Sequence, residues 1–235
     1  FVVKPTLGLK GAGVMIVTRE GDAFRTSDNQ RLNIDRLLTI LNKTASVPRI
    51  HPHYKPDDQR VIFQERLAGH DDLATLSGTD ALQCIRVCTA LDEKNRPSIV
   101  FAFLKIITGK NQFDTFDKGR TGNLLGFISS TTGKIFRVVG IPDRSEIAVP
   151  MSHHPDTGTT LVGFEIPQWG AVVELAMMAS KAFDPVGFVG WDIAVTDRGP
   201  VLIEGNTTWD PVAPFELSLN QISTWADLRS QLRKD

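Results

Sequence analysis

Apolar residues recur at every second position along much of the chain, a pattern typical of strands with one buried face. In the first part of the chain it predicts strands over residues 1–4, 14–18 and 60–67. In the rest it predicts strands over residues 83–91, 99–107, 124–129 and 134–139. We therefore expect β-sheet to form most of the core.

Apolar residues at helical spacing predict three helices. The first follows Asn33, a suitable N-cap, and ends at about residue 44. The second spans residues 167–183 and has Pro167 in its first turn, where proline is favoured. The third spans residues 223–232 and has its apolar residues on one side: Trp225, Leu228 and Leu232. Strands and helices together indicate an α+β protein.

The predicted elements fall into two groups. Residues 1–67 have a β-β-α-β order with a glycine-rich loop at residues 5–13, and the elements from residue 68 onward are longer. We expect a small lobe over residues 1–67 and a large lobe over residues 68–235. The chain also opens inside a predicted strand without an initiating methionine, so we expect a further domain upstream of Phe1.

A predicted hairpin over residues 190–211 contains the most distinctive polar side chains. Its two short strands are predicted from alternating apolar residues, namely Ile193, Val195, Val201 and Ile203. Residues 197–199, Asp-Arg-Gly, have the composition of a three-residue hairpin turn. Closure of that turn by Thr196 and Pro200 would place Asp192 directly opposite Glu204.

Asp192, Glu204 and Asn206 would then lie on one face, because Glu204 and Asn206 are two residues apart on one strand. Carboxylate and amide oxygens are ligands that Mg²⁺ and Mn²⁺ prefer. The hairpin therefore predicts a divalent-metal site. The alternative is structural, since Asp and Asn near turns often bond backbone groups and Glu204 would pair with an arginine.

Lys4 and the loop that follows it form a second candidate site. Gly8, Gly11 and Gly13 let backbone N–H groups approach phosphate oxygens closely. The loop is not a Walker A sequence, because Lys4 precedes the glycines. A mobile hairpin loop with a solvated Lys10 is the alternative interpretation. A phosphate-binding loop and a divalent-metal site are, however, complementary parts of a nucleoside triphosphate site.

Composition and charge narrow the class of partner. The formal net charge of −1 and the lack of a Lys/Arg run argue against nucleic acid. The longest apolar stretches are too short and interrupted to span a bilayer, so we expect no membrane span. The spacing of Cys84 and Cys88 fits neither a zinc site nor a redox pair, and we expect reduced, buried thiols in a cytoplasmic protein.

The order of these motifs resembles the ATP-grasp superfamily, and within it the sugar-transfer-associated, glutamate-ligase-like branch. The resemblance rests on Val2-Val3-Lys4-Pro5 before the glycine loop, on Gln64-Glu65 at a strand end, and on the Asp-x11-Glu-x-Asn spacing from Asp192 to Asn206. The segments GWDIAVTDRGPVLIEGN and HPDTG add to it. The resemblance covers nearly the whole chain. It implies an ATP-grasp fold of two α+β lobes with the nucleotide between them, and a front domain that is missing here.

The resemblance also implies ATP and two Mg²⁺ ions as cofactors, with Mn²⁺ as a substitute, and it assigns residues to them. Lys4 would contact the α- and β-phosphates. The loop would close over the phosphates through Gly8, Lys10, Gly11 and Gly13. Adenine would be held by Gln64, Glu65, Arg66 and Leu67. Glu204 would bridge the two Mg²⁺ ions, and Asp192 and Asn206 would each complete one.

The same resemblance implies catalytic roles for Arg86, Lys105 and Asn123. Arg86 would contact phosphate or an acylphosphate, with a structural ion pair as the alternative. Lys105 and Asn123 would lie near the phosphates and metals. Cys84 departs from the similar ligases, which have an acidic residue there near the ribose. Ribose recognition would therefore fall to another residue, such as Glu65, His70 or Asp72.

Three further residues are candidates for substrate binding. His153 and His154 would reach the open end of the cleft, unless they form a solvated loop pair. Trp209 would line the acceptor pocket, unless it serves only in packing.

The resemblance implies an ATP-dependent ligase that joins a small-molecule carboxylate to an amine through an acylphosphate. The association of this ATP-grasp branch with surface-sugar loci suggests a role in cell-envelope or exopolysaccharide modification. Two alternatives remain open: an ATP-grasp phosphotransferase, and a non-catalytic nucleotide-binding module.

Overall fold

The computed structural model describes residues 1–6, 13–45, 60–141, 148–184 and 186–207, with the backbone alone at residues 44 and 45. The chain divides into two compact units, Phe1–Leu67 and Ala68–Asp235. Each unit contains one β-sheet together with helix, so the protein is of the α+β class. No helix in the described part of the chain is long and apolar enough to cross a membrane. The helix predicted over residues 223–232 lies outside the described residues.

The first unit is built on a five-stranded sheet. Its strands are β1 (Val2–Pro5), β2 (Met15–Glu20), β3 (Ala23–Thr26), β4 (Arg31–Leu32) and β5 (Val61–Gln64). They lie in the order β4-β3-β2-β1-β5. The predicted β-β-α-β order omitted β3 and β4, because strands of four and two residues are too short to establish an alternation.

Helix α1 (Ile34–Ala45) packs on this sheet. Its residues Leu37 and Leu41 share a core with Val3 and Val17. The predicted N-cap is present, since the Arg36 N–H donates to Asn33 Oδ1 at 2.9 Å. The helix is therefore fixed at its start by a cap and along its length by its apolar side.

The second unit is built on a seven-stranded sheet. Its strands are β6 (Cys84–Leu91), β7 (Pro97–Ile106), β8 (Leu124–Ile128), β9 (Ile135–Gly140), β10 (Val149–Pro150), β11 (Phe188–Thr196) and β12 (Gly199–Asn206). They lie in the order β10-β9-β8-β7-β6-β11-β12. All the paired neighbours are antiparallel. The four strands predicted by alternation correspond to β6 through β9.

Two α-helices accompany this sheet among the described residues of the second unit. Helix α2 (Asp71–Ser77) escaped prediction because of its length, and His70 caps it by accepting the Asp72 N–H at Nδ1, 3.2 Å away. Helix α3 is Trp169–Ala182. Gln168 precedes the helix and has a left-handed backbone with a φ of 56°. Pro167 therefore lies before the helix rather than in its first turn.

The large sheet has an apolar core on each face. On one face, residues of β6, β7 and β11 pack with Val172, Ala176 and Ala179 of α3. On the other face a smaller cluster contains Phe101, Phe103, Leu125 and Phe127. A side chain on the second face therefore points away from α3. The candidate site described below lies on this second face.

The turn between β11 and β12 differs from the prediction. Thr196 pairs with Gly199, so the turn consists of Asp197 and Arg198 rather than three residues. A register shift farther along the hairpin compensates for this difference, because Ile193 pairs with Leu202 and Asp192 with Glu204. Asp192 therefore lies opposite Glu204 in spite of the shorter turn.

Candidate functional site

Strand alternation brings Arg86, Lys105 and Asp192 to one face of the large sheet. Their neighbours along the chain belong to the core against α3, namely Ile85, Val87, Leu104, Ile106, Trp191 and Ile193. Because successive side chains alternate, the three charged residues point to the opposite face. Asp192 pairs in register with Arg86 on one side and with Glu204 on the other. The charged groups thus form a row across adjacent strands.

Asp192 is the centre of this row. Arg86 donates to it through two nitrogens, Nε to Oδ1 at 2.5 Å and Nη2 to Oδ2 at 2.9 Å. Lys105 Nζ donates to Asp192 Oδ2 at 3.2 Å. The side chains of Arg86, Lys105 and Asp192 are 15%, 13% and 6% exposed. A bidentate guanidinium and an ammonium therefore hold this carboxylate in a place that water hardly reaches.

Asp114 extends the network and was not among the residues selected from the sequence. Its Oδ2 lies 3.2 Å from Lys105 Nζ and accepts the Cys84 N–H at 2.7 Å. Two cations and two carboxylates thus alternate in the order Arg86, Asp192, Lys105, Asp114. Each buried charge has an opposite charge beside it, which offsets the cost of removing it from water.

The network shifts the pKa values of its members. Burial alone would lower the pKa of Lys105, but the carboxylates of Asp114 and Asp192 outweigh burial and raise it. Burial likewise opposes ionisation of Asp192, yet the charge of Lys105 and the bonds from Arg86 lower its pKa. For Asp114 burial dominates, and its pKa is raised. Lys105 is therefore a fixed cation, and Asp192 a fixed anion.

Glu204 and Asn206 lie beside this network on β12. Glu204 is exposed, and its Oε1 accepts from Asn206 Nδ2 at 3.2 Å. The residue between them, Gly205, faces Trp191, and a Cβ atom there would lie 2.5 Å from Trp191 Cζ3. Trp191 is itself fixed, since its Nε1 donates to Thr89 Oγ1 at 2.9 Å. Close packing on one face of β12 thus sets the position of Glu204 and Asn206 on the other.

The donor set at the hairpin suits a hard cation. Glu204 offers an exposed carboxylate and Asn206 an amide oxygen next to it. Asp192 differs, because its oxygens already accept from Arg86 and Lys105. Among the described residues, no group of three or more His, Cys, Asp and Glu side chains is placed to hold a metal ion. Any metal here would rely on the amide of Asn206 as well as on carboxylates.

Asn123 is fully buried and organises the segment between β7 and β8. Its Oδ1 accepts from the Thr108 N–H at 3.0 Å and from Asn111 Nδ2 at 2.8 Å. Its Nδ2 donates to the carbonyl oxygens of Phe113 and Thr115, each at 2.9 Å. The amide therefore makes four hydrogen bonds within this segment, and its effect on the site passes through the loop.

The two histidines of the predicted substrate loop have different surroundings. His154 is 1% exposed, and its Nε2 lies 2.8 Å from the Ile107 carbonyl oxygen. Its Nδ1 accepts from the Asp156 N–H at 3.3 Å. His153 is exposed, with Nδ1 2.9 Å from Ser152 Oγ. His154 thus fixes the loop from inside, and only His153 faces solvent. Trp209 lies outside the described residues.

The nucleotide-binding candidates of the first unit follow β1 and β5. Lys4 lies in β1 opposite Ile62 and points away from the core that holds Val3. Gln64, Glu65 and Arg66 are exposed, and Leu67 is half-buried. Gly13 is exposed with a φ of 77°, a conformation that favours glycine. Gly8, Lys10 and Gly11 lie outside the described residues.

Cys84 and Cys88 are free thiols, and both are buried as predicted. Burial raises the pKa of each thiol well above its usual value. Because a nucleophilic cysteine needs a lowered pKa, neither thiol has the properties of a catalytic residue. Cys88 belongs to the apolar cluster on the face opposite α3.

Comparison with known proteins identifies one family. The model of the family described as sugar-transfer associated ATP-grasp matches residues 1–230. No curated protein matches the chain at a significant level. The family match covers both units and the whole of the charged row. The chain therefore belongs to the sugar-transfer associated ATP-grasp family.

Proposed function

We propose that this protein is an ATP-dependent ligase that joins a carboxylate to an amine. The observation on which the proposal depends is the row of charges on adjacent strands, where Arg86 and Lys105 lie beside the carboxylates of Asp192 and Glu204. Fixed cations next to candidate metal ligands suit a site that binds a triphosphate and stabilises a transferring phosphoryl group. Membership of an ATP-grasp family supports ATP as the nucleotide.

The proposed reaction has two steps. An oxygen of the substrate carboxylate attacks the γ-phosphorus of ATP, and the bond from that phosphorus to the bridging oxygen breaks to release ADP. A substrate amine then attacks the carbonyl carbon of the acylphosphate. The bond from carbon to the phosphate oxygen breaks, the nitrogen loses a proton, and an amide and phosphate remain.

Lys105 and Arg86 have separate proposed roles. The Lys105 ammonium would contact the phosphoryl group during the first step, and the Arg86 guanidinium would stabilise the oxyanion of the second. Both groups are already oriented by Asp192, to which they donate three hydrogen bonds. Little reorientation is then needed when negative charge develops. Lys4, the glycine loop and residues 64–67 are the proposed nucleotide-binding residues of the first unit.

Asp192, Glu204 and Asn206 are the proposed Mg²⁺ ligands, with Glu204 shared between two ions. Bound Mg²⁺ neutralises charge on the phosphates and orients them. The same oxygen donors suit Mn²⁺. Asp192 would have to share its oxygens with Arg86 and Lys105, so Glu204 and Asn206 offer the more accessible ligands.

The proposed substrates are small molecules of the cell envelope or of an exopolysaccharide. The association of the family with sugar transfer supports an amino acid or a sugar acid as the carboxylate. His153 is the exposed candidate for contact with such a substrate, and Trp209 is the candidate beyond β12.

The test is ADP and phosphate release from ATP by the natural full-length protein, with a panel of amino acids and uronic acids and a panel of amines. We expect release to require both a carboxylate and an amine, and to fall about a hundredfold, to a rate that is still measurable, in Lys105→Met. A stable phosphorylated product would instead show a phosphotransferase. Binding of Mg²⁺–ATP without turnover under every condition would show a nucleotide-binding module.

A further inference from the structure

We infer that Asp114 is a positioning residue that holds Lys105 in place at the candidate site. The inference rests on the proposed function, because it takes Lys105 as a group that contacts the phosphates. Asp114 lies in the irregular segment between β7 and β8. It belongs to none of the motifs from which the family resemblance is recognised.

The contacts of Asp114 point to this role. Lys105 Nζ lies 3.2 Å from Asp114 Oδ2 and the same distance, 3.2 Å, from Asp192 Oδ2. The ammonium is therefore held between two carboxylates, one from β11 and one from the loop. The side chains of Lys105 and Asp114 are only 13% and 15% exposed, so water competes weakly for these bonds.

Two fixed points hold the Asp114 carboxylate itself. Its Oδ2 accepts the Cys84 N–H at 2.7 Å, which ties it to the start of β6. The residues on either side of it, Phe113 and Thr115, both accept hydrogen bonds from Nδ2 of the buried Asn123 through their carbonyl oxygens, at 2.9 Å each. Asn123 thus orients the backbone around Asp114, and Asp114 orients Lys105.

A lysine needs such a partner more than most side chains do. Ordering its long, flexible side chain costs conformational entropy. Asp192 contacts Lys105 from one side, and it also accepts two hydrogen bonds from Arg86. Asp114 supplies the second constraint. Without its charge, Lys105 would be neutralised by Asp192 alone, and that carboxylate would be less available to a metal ion.

Asp114→Asn separates this role from a purely structural one. The amide oxygen of asparagine still accepts the Cys84 N–H, but the charge that pairs with Lys105 is lost. Asp117→Asn is the matched control, because Asp117 is in the same segment and pairs at 3.7 Å with Arg120, an exposed residue. Asp117 also has a φ of 42°, which asparagine tolerates.

The experiment is a double-mutant cycle on Asp114→Asn and Lys105→Met, read in kcat and in the affinity for Mg²⁺–ATP. We expect Asp114→Asn to lower kcat about tenfold or more, with a smaller change in KM for ATP. Asp114→Glu should recover part of the loss, and Asp117→Asn should behave as wild type. If Asp114 acts through Lys105, adding Asp114→Asn to Lys105→Met changes nothing further.

Two results would overturn the role: independent, multiplicative effects of the two substitutions, or wild-type values for Asp114→Asn. Melting temperatures of all variants identify any loss caused by unfolding. A wild-type protein that binds Mg²⁺–ATP without turnover would refute the ligase proposal alone, since the cycle read in affinity still decides the role of Asp114. A wild-type protein that does not bind Mg²⁺–ATP would refute both.

Discussion

Asp192 and Glu204 face each other directly across β11 and β12, and a β-bulge brings them into register. Counted away from the turn, Ile193 pairs with Leu202 and the next pair is Asp192 with Glu204. Ile203 is therefore the extra residue of β12. A bulge adds one residue to one strand and re-aims the side chains beyond it. The extra residue therefore aligns the two carboxylates at the end of the row that begins with Arg86.

Arg86→Met tests whether this row is a buried, cooperative ion pair. The substitution leaves the carboxylate of Asp192, 6% exposed, with Lys105 as its remaining cation. Removing one partner of a buried pair typically lowers the free energy of unfolding by about 3 kcal/mol or more. Urea unfolding should show a loss of this size.

The matched control is Arg96→Met. Arg96 pairs with Asp92 at 2.6 Å, but its side chain is 67% exposed. Water screens an exposed pair, so this variant should stay close to wild type in its free energy of unfolding. Equal losses in the two variants would show that Arg86 contributes no more than a surface pair does.

Gly205→Ala tests whether packing against Trp191 positions Glu204 and Asn206. The added Cβ would lie 2.5 Å from the Trp191 ring, and the ring is held by its bond to Thr89. We expect a loss of about 2 kcal/mol in the free energy of unfolding. Affinity for Mg²⁺–ATP should fall as well, because the strand has to shift.

Gly187→Ala provides the control for this substitution, since no described atom lies within 4 Å of the position of its Cβ. It should leave both stability and affinity nearly unchanged. If Gly205→Ala matched it in both measurements, the packing of Trp191 would not be what positions the pair.

The buried thiols predict a loss of stability at alkaline pH. Burial raises the pKa of Cys84 and Cys88, so the folded state favours the protonated thiol. Their contribution is fully present below the pKa of an unfolded cysteine, about 8.5, and is lost as pH rises toward the folded value. Above about pH 8.5 each thiol should lower the free energy of unfolding by up to about 1.4 kcal/mol per pH unit.

Cys88→Ala removes the contribution of one thiol to this pH dependence of the free energy of unfolding. Urea unfolding from about pH 7 to about pH 9.5 should then show a shallower decline than wild type, below the range in which lysines lose their protons. The variant starts from a lower stability because it leaves a small cavity at a fully buried position. Parallel pH profiles for wild type and variant would contradict the raised pKa.

Local pattern was sufficient to predict six of the seven strands of the large sheet, because alternating apolar residues such as Ile193 and Val195 mark a strand; the two-residue strand β10 was missed. The opposition of Asp192 and Glu204 was also predicted, but from an assumed turn closed by Thr196 and Pro200. The turn was predicted one residue too long, since Gly199 is suited to a turn but lies in β12. The bulge cancelled that error. Its position depends on the pairing of β11 with β12, which no single strand encodes.

The surroundings of Asp114 and His154 were not predicted, because they depend on contacts between residues far apart in the sequence. Asp114 accepts the N–H of Cys84, 30 residues away, and in the sequence it resembles Asp117, which pairs instead with the nearby, exposed Arg120. His154 was a candidate substrate ligand because of its loop, yet it is buried and its Nε2 lies 2.8 Å from the carbonyl oxygen of Ile107, 47 residues earlier. Such roles depend on tertiary packing and are not specified by spacing along the chain.

Glu204 of the β11–β12 hairpin is the proposed ligand of the metal that accompanies ATP, and calorimetry of ATP binding with and without Mg²⁺ measures that role. Wild type should bind ATP more tightly with Mg²⁺, and Glu204→Gln should lose about tenfold or more of that affinity. Glu165→Gln, at a side chain that is 69% exposed, should retain it. Mg²⁺-dependent binding that is unchanged in Glu204→Gln would contradict the assignment.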